Sequence, residues 1–268
     1  MNKHISCIDY KNNDFYFLYL KTAVDEGETG YKWHEHSFYE IMLIDGGESE
    51  YVIENRRYVA KKGDVLLIKP GVPHYKKRTL KNPTATYCLG FLPEAIANAG
   101  LAEKIFSDGE FFSAEEDSPL FEMLEVMKKK LEKSKNNASY FIKSMAEATV
   151  MLLYDLDLSC ETSPEINNSS VQKMLDFIKN NLCSINKVED ISKALFFSES
   201  YTRTLFKKEM NIGIMEYVRD KKVLLAHRKI RHGKKPMEIY AECGFSNYPS
   251  FYRAYVSYFG HTPREQKI

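Results

Sequence analysis

Three histidines and one glutamate carry the first candidate chemistry. On an extended chain, where successive side chains alternate between faces, the even spacing of His34, His36 and Glu40 projects all three to one side. His74 follows in the run Pro70-Gly71-Val72-Pro73-His74. Three imidazoles and a carboxylate form a nitrogen and oxygen ligand set suited to Fe, Mn, Ni or Zn. The same side chains serve equally well as polar contacts to a small molecule or as hydrogen-bonded structural groups, so a divalent transition metal is a candidate cofactor and not a required one. Trp33, the single tryptophan, and Tyr39 adjoin them. Aromatic faces beside hydrogen-bonding groups suit a sugar, whose C–H faces stack while its hydroxyls need donors and acceptors. The expected effector set is therefore Trp33, His34, His36, Tyr39, Glu40 and His74, although aromatic rings fill a hydrophobic core more often than they line a binding face.

A second chemistry is electrostatic. Net charge over the 268 residues is +1, yet from Val171 onward 18 Lys and Arg face 10 acidic residues, leaving +8 there and −7 in the remainder. Such an excess suits a polyanion, because each neutralised phosphate releases counterions and adds sequence-independent affinity; a solvated helical surface accounts for the same charge. A pattern is also duplicated. Asp190 to Ser198 leads into Tyr201 to Lys208, and 48 residues later Glu238 to Ser246 leads into Phe251 to Tyr255. Each copy reads as a short apolar helix, a tight turn for which Gly244 supplies easy positive φ, and a second helix capped by the hydroxyl of Ser198 or Ser246. Ile214 to about Arg231 reads as one long helix between the copies, ended by Gly233.

Stepping N-terminally, short strands over Phe15-Leu20, Tyr39-Ile44, Tyr51-Ile53, Tyr58-Ala60, Val65-Ile68 and Ala85-Phe91 must position the histidines. Turn signals at Asp45-Gly46-Gly47, Glu54-Asn55-Arg56, Lys62-Gly63-Asp64 and Pro70-Gly71 separate them, the spacing of an antiparallel sandwich or barrel. Helical periodicity then begins near Leu120, with a second helix from Tyr140 to about Leu158, read either as a cover on the barrel or as a dimerisation hairpin. Ser159 to Ser170 loses all apolar periodicity, as linkers do. The expected division is a sensor domain over 1–98, a helical region over 99–160, a flexible linker over 161–170 and a DNA-binding domain over 171–268. Five widely spaced cysteines without a C-x-x-C pair fit neither a disulfide scaffold nor a zinc ribbon, and read as free thiols of a reducing cytoplasm. No stretch approaches the roughly 20 apolar residues that span a bilayer, so no membrane is expected.

The segment Cys243-Gly244-Phe245-Ser246-Asn247, with Phe251, Arg253, Tyr258-Phe259-Gly260 and Thr262-Pro263-Arg264-Glu265, closely resembles the signature of the AraC/XylS family of bacterial transcription regulators. The match runs from Val171 to Gln266. It implies that both second helices enter successive major-groove faces of double-stranded promoter DNA. Base-facing positions would be Ser200, Arg203 and Thr204 in the first reader, and Tyr248, Ser250, Tyr252 and Arg253 in the second; Lys207, Lys208 and the amides near Ser198 and Ser246 would hold phosphates. This chain departs from the family pattern at Val256-Ser257, where Lys-Lys is common, at Thr204, where Arg is common, and at Tyr240, where a small residue is usual. The H-x-H-x3-E arrangement followed by Gly63-Asp64-Val65 to His74 resembles the two motifs of the cupin barrel. Cupin enzymes hold a metal with this quartet, whereas sensor domains of AraC-type regulators carry similar positions without catalysis. The expected fold class is α+β: a cupin-like barrel, a helical hairpin and an all-α double helix-turn-helix domain. The expected function is regulatory and not enzymatic: a cytoplasmic activator answering a small molecule, with a carbohydrate as the candidate class, RNA polymerase as a partner and a homodimer as its candidate assembly.

Overall fold

The computed structural model describes residues 4–22, 34–54, 56–108, 110–114, 118–155, 165–166 and 168–264. It divides into two compact units, Met1–Glu165 and Ile166–Ile268. In the first unit the elements are β1 His4–Lys11, β2 Phe15–Thr22, β3 Tyr39–Ile53, β4 Arg56–Lys61, β5 Asp64–Ile68, β6 His74–Phe91, α1 Ala99–Asp108, β7 Phe111–Ser113, α2 Pro119–Lys133 and α3 Ala138–Asp155. The strands pair antiparallel in the order β1-β2-β6-β3-β4, while β5 pairs with β3 and β7 with β5.

The sheet buries both of its faces, which is why its strands read as nearly continuous apolar runs. On β3, Tyr39, Ile41 and Leu43 point outward with Phe15, Phe17 and Tyr19 of β2 and Leu89 and Phe91 of β6, and there they meet Leu120, Leu124, Met127, Ile142 and Val150 of α2 and α3. The helical pair therefore covers the sheet. Met42 and Ile44 point to the inner face, against Leu66, Ile68, Tyr58 and Cys88. Each fully buried Leu, Ile or Phe in these two cores contributes about 1.5–3 kcal/mol.

Asp45-Gly46-Gly47 does not make the turn expected of it. It lies inside one fifteen-residue strand, and the register with β6 slips at Ile44/Gly46, Gly46/Glu48 and Glu48/Ser49. An irregularity of this kind reverses which face each residue takes: the inward residues are even-numbered up to Ile44 and odd-numbered at Tyr51 and Ile53. Gly47 has φ +74°, and a Cβ there would lie 2.6 Å from the carbonyl oxygens of Lys81 and Pro83. β6 is correspondingly longer than the expected Ala85–Phe91, β1 and β7 were not expected, and α1 falls in the expected helical region ahead of the periodicity that begins near Leu120. The turns at Lys62-Gly63-Asp64 and Pro70-Gly71 hold, with Gly63 at φ +94° and Gly71 at φ +74°, whereas Asn55 of the expected Glu54-Asn55-Arg56 turn lies outside the described residues.

The second unit is helical: α4 Ser169–Asn181, α5 Val188–Ala194, α6 Glu199–Met210, α7 Ile214–Arg231, α8 Pro236–Ile239 and α9 Tyr248–Phe259. The expected linker reaches too far, because Asn168 caps α4 by accepting from Ser170 N, putting Ser169 and Ser170 inside the helix. α7 has the bounds the periodicity predicts, and Gly233 follows it at φ +84°. Along α7, Val223, Ala226 and Ile230 pack on Phe251, Ala254 and Tyr255 of α9.

Within that core His227 Nδ1 lies 2.7 Å from the Tyr255 hydroxyl. Burial, and after it the charges of Arg231 and His261, push the imidazole from 6.5 down to about 4. The unfolded chain thus takes up a proton that the folded chain refuses. Stability from this group is complete above about pH 6.5 and falls toward pH 4, by on the order of 2 kcal/mol given its partial exposure. Urea unfolding at pH 7 and pH 4.5 should show that loss in the wild type and a smaller one in His227→Phe; an identical loss in both would assign it to other groups.

Candidate functional site

His34, His36, Glu40 and His74 come together at one end of the inner face, although the chain between them is not the extended strand that the spacing argument assumed. β3 starts only at Tyr39, and Ser37 and Phe38 bend. The convergence comes instead from an isolated antiparallel bridge: His34 N donates to His74 O at 3.0 Å and His74 N to His34 O at 2.9 Å. Glu40 is 4% exposed, and its Oε2 lies 3.1 Å from His36 Nε2 and 3.2 Å from His74 Nε2. The first contact is a hydrogen bond. The second has ion-pair distance without hydrogen-bond geometry, and His74 Nε2 is buried with no hydrogen-bond partner among the described residues.

Burial opposes the charge on Glu40, but His36 and His74 outweigh it and hold the carboxyl well below the usual carboxylate range. The ligand nitrogens of His34, His36 and His74 lie within 4.8 Å of one another, so this triad could hold a metal ion. Tyr16 completes the cluster: its hydroxyl is 3.5 Å from His36 Nε2, and its ring meets Phe38 edge-on at 5.2 Å. Burial, then the Glu40 charge, pushes that phenol well above its ordinary value, so it stays a neutral hydroxyl. Sequence reasoning missed Tyr16. The signal was its even parity on β2, opposite Gly90, which is in turn opposite Glu40; a Cβ on Gly90 would sit 1.8 Å from the Tyr16 ring.

Tyr39 is a correction. Its odd parity turns it to the outer core, where its ring lies 4.5 Å from that of Phe106 and 5.7 Å from that of Phe91, away from the histidines. Trp33 lies outside the described residues.

In the second unit, Ser200, Arg203, Thr204, Lys207 and Lys208 are exposed along one stripe of α6, and Thr202, Phe206, Glu209 and Met210 are buried opposite. Ser198 Oγ accepts from Tyr201 N, the expected cap. Arg203 pairs with Glu199 at 3.2 Å. On α9, Tyr252 and Arg253 are exposed, whereas Tyr248 and Ser250 are half-buried. Ser246 does not cap this helix; Asn247 does, its Oδ1 accepting from Ser250 N at 2.9 Å, because the helix starts one residue later than the first copy implies. Tyr240, the departure from a small residue, meets the Tyr248 ring edge-on at 5.9 Å, so the extra volume is absorbed between two rings.

Both helix pairs turn through the same hydrogen bonds. Phe196 N donates to Lys193 O and Phe197 N to Ser192 O; Gly244 N donates to Ala241 O and Phe245 N to Tyr240 O. A buried ammonium joins the two halves: Lys222 Nζ on α7 donates to Ile185 O at 2.5 Å and to Gly244 O at 2.8 Å. Burial lowers its pKa from the ordinary lysine value.

Two family models match this arrangement, one described as an AraC-like ligand binding domain over residues 23–149, the other as a helix-turn-helix domain over 191–267. The chain belongs to the AraC family. It is a DNA-binding transcription regulator with a ligand-binding domain, and not an enzyme. Similar relatives include the probable transcriptional regulator LumQ of Photobacterium leiognathi, 23% identical, covering 90% of this chain and 92% of that protein. The Msm operon regulatory protein of Streptococcus mutans is 22% identical over 84% of this chain and 82% of its own length. The lactose operon transcription activator of Staphylococcus xylosus is 23% identical over 66% and 64%. Among the described residues of this AraC-family chain, no helix is long and apolar enough to cross a membrane.

Proposed function

We propose that this protein is a transcription activator that binds promoter DNA through the exposed stripes of α6 and α9 and answers a carbohydrate held at the Glu40 cluster. The observation that carries the reading is that cluster: a buried carboxylate, three imidazoles and a neutral phenol converge beside the ring of Phe38. Hydroxyl groups need such a mixture of donors and acceptors, and C–H faces need such a ring. One relative is named for a sugar-related role, the lactose operon transcription activator, which supports the same class. Base contacts fall to Ser200, Arg203, Thr204, Tyr248, Ser250, Tyr252 and Arg253, and phosphate contacts to Lys207, Lys208 and the amides at the starts of α6 and α9. RNA polymerase is the partner of an activator, a homodimer the assembly that a paired promoter site would select, and the cytoplasm the compartment.

Fluorescence anisotropy with the promoter of the protein's own gene neighbourhood tests this. That fragment should bind at least tenfold more tightly than random DNA at moderate salt, and a panel of mono- and disaccharides should raise the melting temperature of the free protein for at least one member. Equal affinity for promoter and random DNA would reject the regulatory reading; no thermal response to any sugar would reject the effector class.

A further inference from the structure

The two helix pairs of the C-terminal unit are built alike but charged differently. α5 begins at Val188 and α8 at Pro236, 48 residues apart, and the turns at Phe196 and Gly244 keep that offset. α9 starts one residue late against it, so Phe206 of α6 corresponds to Tyr255 of α9, and both are fully buried. Lys207 and Lys208 on α6 then answer to Val256 and Ser257 on α9. The second reading helix thus lacks the two cations that the first offers in its last turn. The segments ahead of the pairs differ in the opposite sense. Residues 180–187 hold one basic residue, Lys187, whereas 228–235 hold five, Arg228, Lys229, Arg231, Lys234 and Lys235, and neither segment contains an acid.

Those cations sit on a fixed corner. Gly233, at φ +84°, ends α7: its N–H donates to Ile230 O at 2.9 Å, and that of Lys234 donates to Lys229 O at 3.1 Å. Pro236, whose ring fixes φ, opens α8 just beyond. Arg228, Arg231, Lys234 and Lys235 are all exposed. Lys229 is engaged by Glu242 at 2.6 Å, while Lys235 stands 3.7 Å from Glu238 with its side chain 80% exposed. In the first pair the single Lys187 is drawn to Glu189 at 2.5 Å. Exposed cations this dense repel one another; water and salt screen that repulsion, and a polyanion relieves it. The corner also has a place in the geometry of binding. When the second helix of such a pair lies in the major groove, the first crosses the sugar–phosphate backbone.

We propose that Lys234 and Lys235, with Arg228 and Arg231 on the adjoining turn of α7, form a phosphate clamp that grips the DNA backbone beside the second reader, in place of the cations that α9 lacks. The occupant is duplex DNA and not an acidic protein, because the corner runs directly into the helix pair that carries the second reading helix. A duplex presents one negative charge per about 1.7 Å of its axis, which matches closely spaced cations on flexible stems. The clamp rests on the DNA-binding reading of α6 and α9 and adds to it a surface that holds DNA without reading its sequence.

Anisotropy titrations of the full chain across a salt series, on the promoter of its own gene neighbourhood and on a random duplex of equal length, test the clamp. Lys234→Gln/Lys235→Gln should weaken both duplexes alike, by about tenfold at moderate salt, and lower the salt slope by about two, since each neutralised phosphate contributes about 0.9. The ratio of promoter to random affinity should stay at the wild-type value. Lys234→Gln alone should lower the slope by about one. Lys133→Gln/Lys143→Gln, which removes two exposed charges from α2 and α3, should leave the slope unchanged; an equal drop there would make the effect one of net charge and overturn the clamp. Unchanged slope and affinity in the Lys234/Lys235 variant, beside a wild type that prefers its promoter, would also overturn it. So would normal DNA binding with lost activation in the presence of RNA polymerase, which would assign the corner to a protein contact. A wild type without promoter preference would instead reject the regulatory reading, so the two failures are distinct.

Discussion

Gly244→Ala is expected to destabilise the C-terminal unit by about 3 kcal/mol or more, while Phe196→Gly, at the corresponding place in the first helix pair, stabilises it by about 1 kcal/mol. The two residues make the same turn with the same hydrogen bonds, and both adopt positive φ, +80° and +58°. Their surroundings differ. A Cβ on Gly244 would lie 2.3 Å from the carbonyl oxygen and 2.8 Å from the Cα of Cys183, backbone atoms that cannot swing aside. Phe196 is 95% exposed, so its ring contributes no packing to set against the strain of a left-handed residue. Urea unfolding of the full chain, followed on the helical transition, should move the midpoint in opposite directions for the two variants. A shift of the same sign in both would mean that the turn conformation is not what these residues determine.

Arg253→Ala is expected to reduce discrimination between the promoter and single-base variants by about 1–3 kcal/mol, roughly 5- to 150-fold, and to do so at one position of the site. Lys207→Ala should weaken promoter and random DNA alike and lower the salt slope by about one. Both side chains are exposed, and neither forms a salt bridge among the described residues, so each is available to DNA without breaking a contact. Arg203 differs, since it must first leave Glu199. Anisotropy titrations across a salt series separate the cases: equal losses on specific and random DNA for both variants would refute this division of labour. With Val256 and Ser257 on α9 where the family often has lysines, and Lys207 and Lys208 on α6, the phosphate grip is expected to be uneven between the two readers.

Much of this was legible in the residues. The duplicated helix pairs, the bounds of α7 and the turn at Gly244 follow from local chemistry, because a helix start or a positive φ is decided within a few residues. The convergence of His34, His36, Glu40 and His74 was also legible, but partly for the wrong reason: their even spacing mattered less than the His34–His74 bridge. What failed depended on the partner strand. Asp45-Gly46-Gly47 has the composition of a turn, and only the close passage of Lys81 and Pro83 on β6 makes it an irregularity inside β3. Tyr39 adjoins the site in sequence, but the parity of β3 turns it outward, while Tyr16, far off in sequence, is brought in by register. Ser246 and Asn247 are both good caps, and composition does not choose between neighbours.

The ammonium of Lys222, tied at once to the loop before α5 and to the turn before α9, makes a rigid gauge of the C-terminal unit. Held in this way, the two reading helices have one pitch and little freedom to follow a stretched target. Inserting a single base pair between their half-sites rotates one by about 35° relative to the other. The protein should therefore be intolerant of spacer length in its promoter, even where both half-sites keep every preferred base.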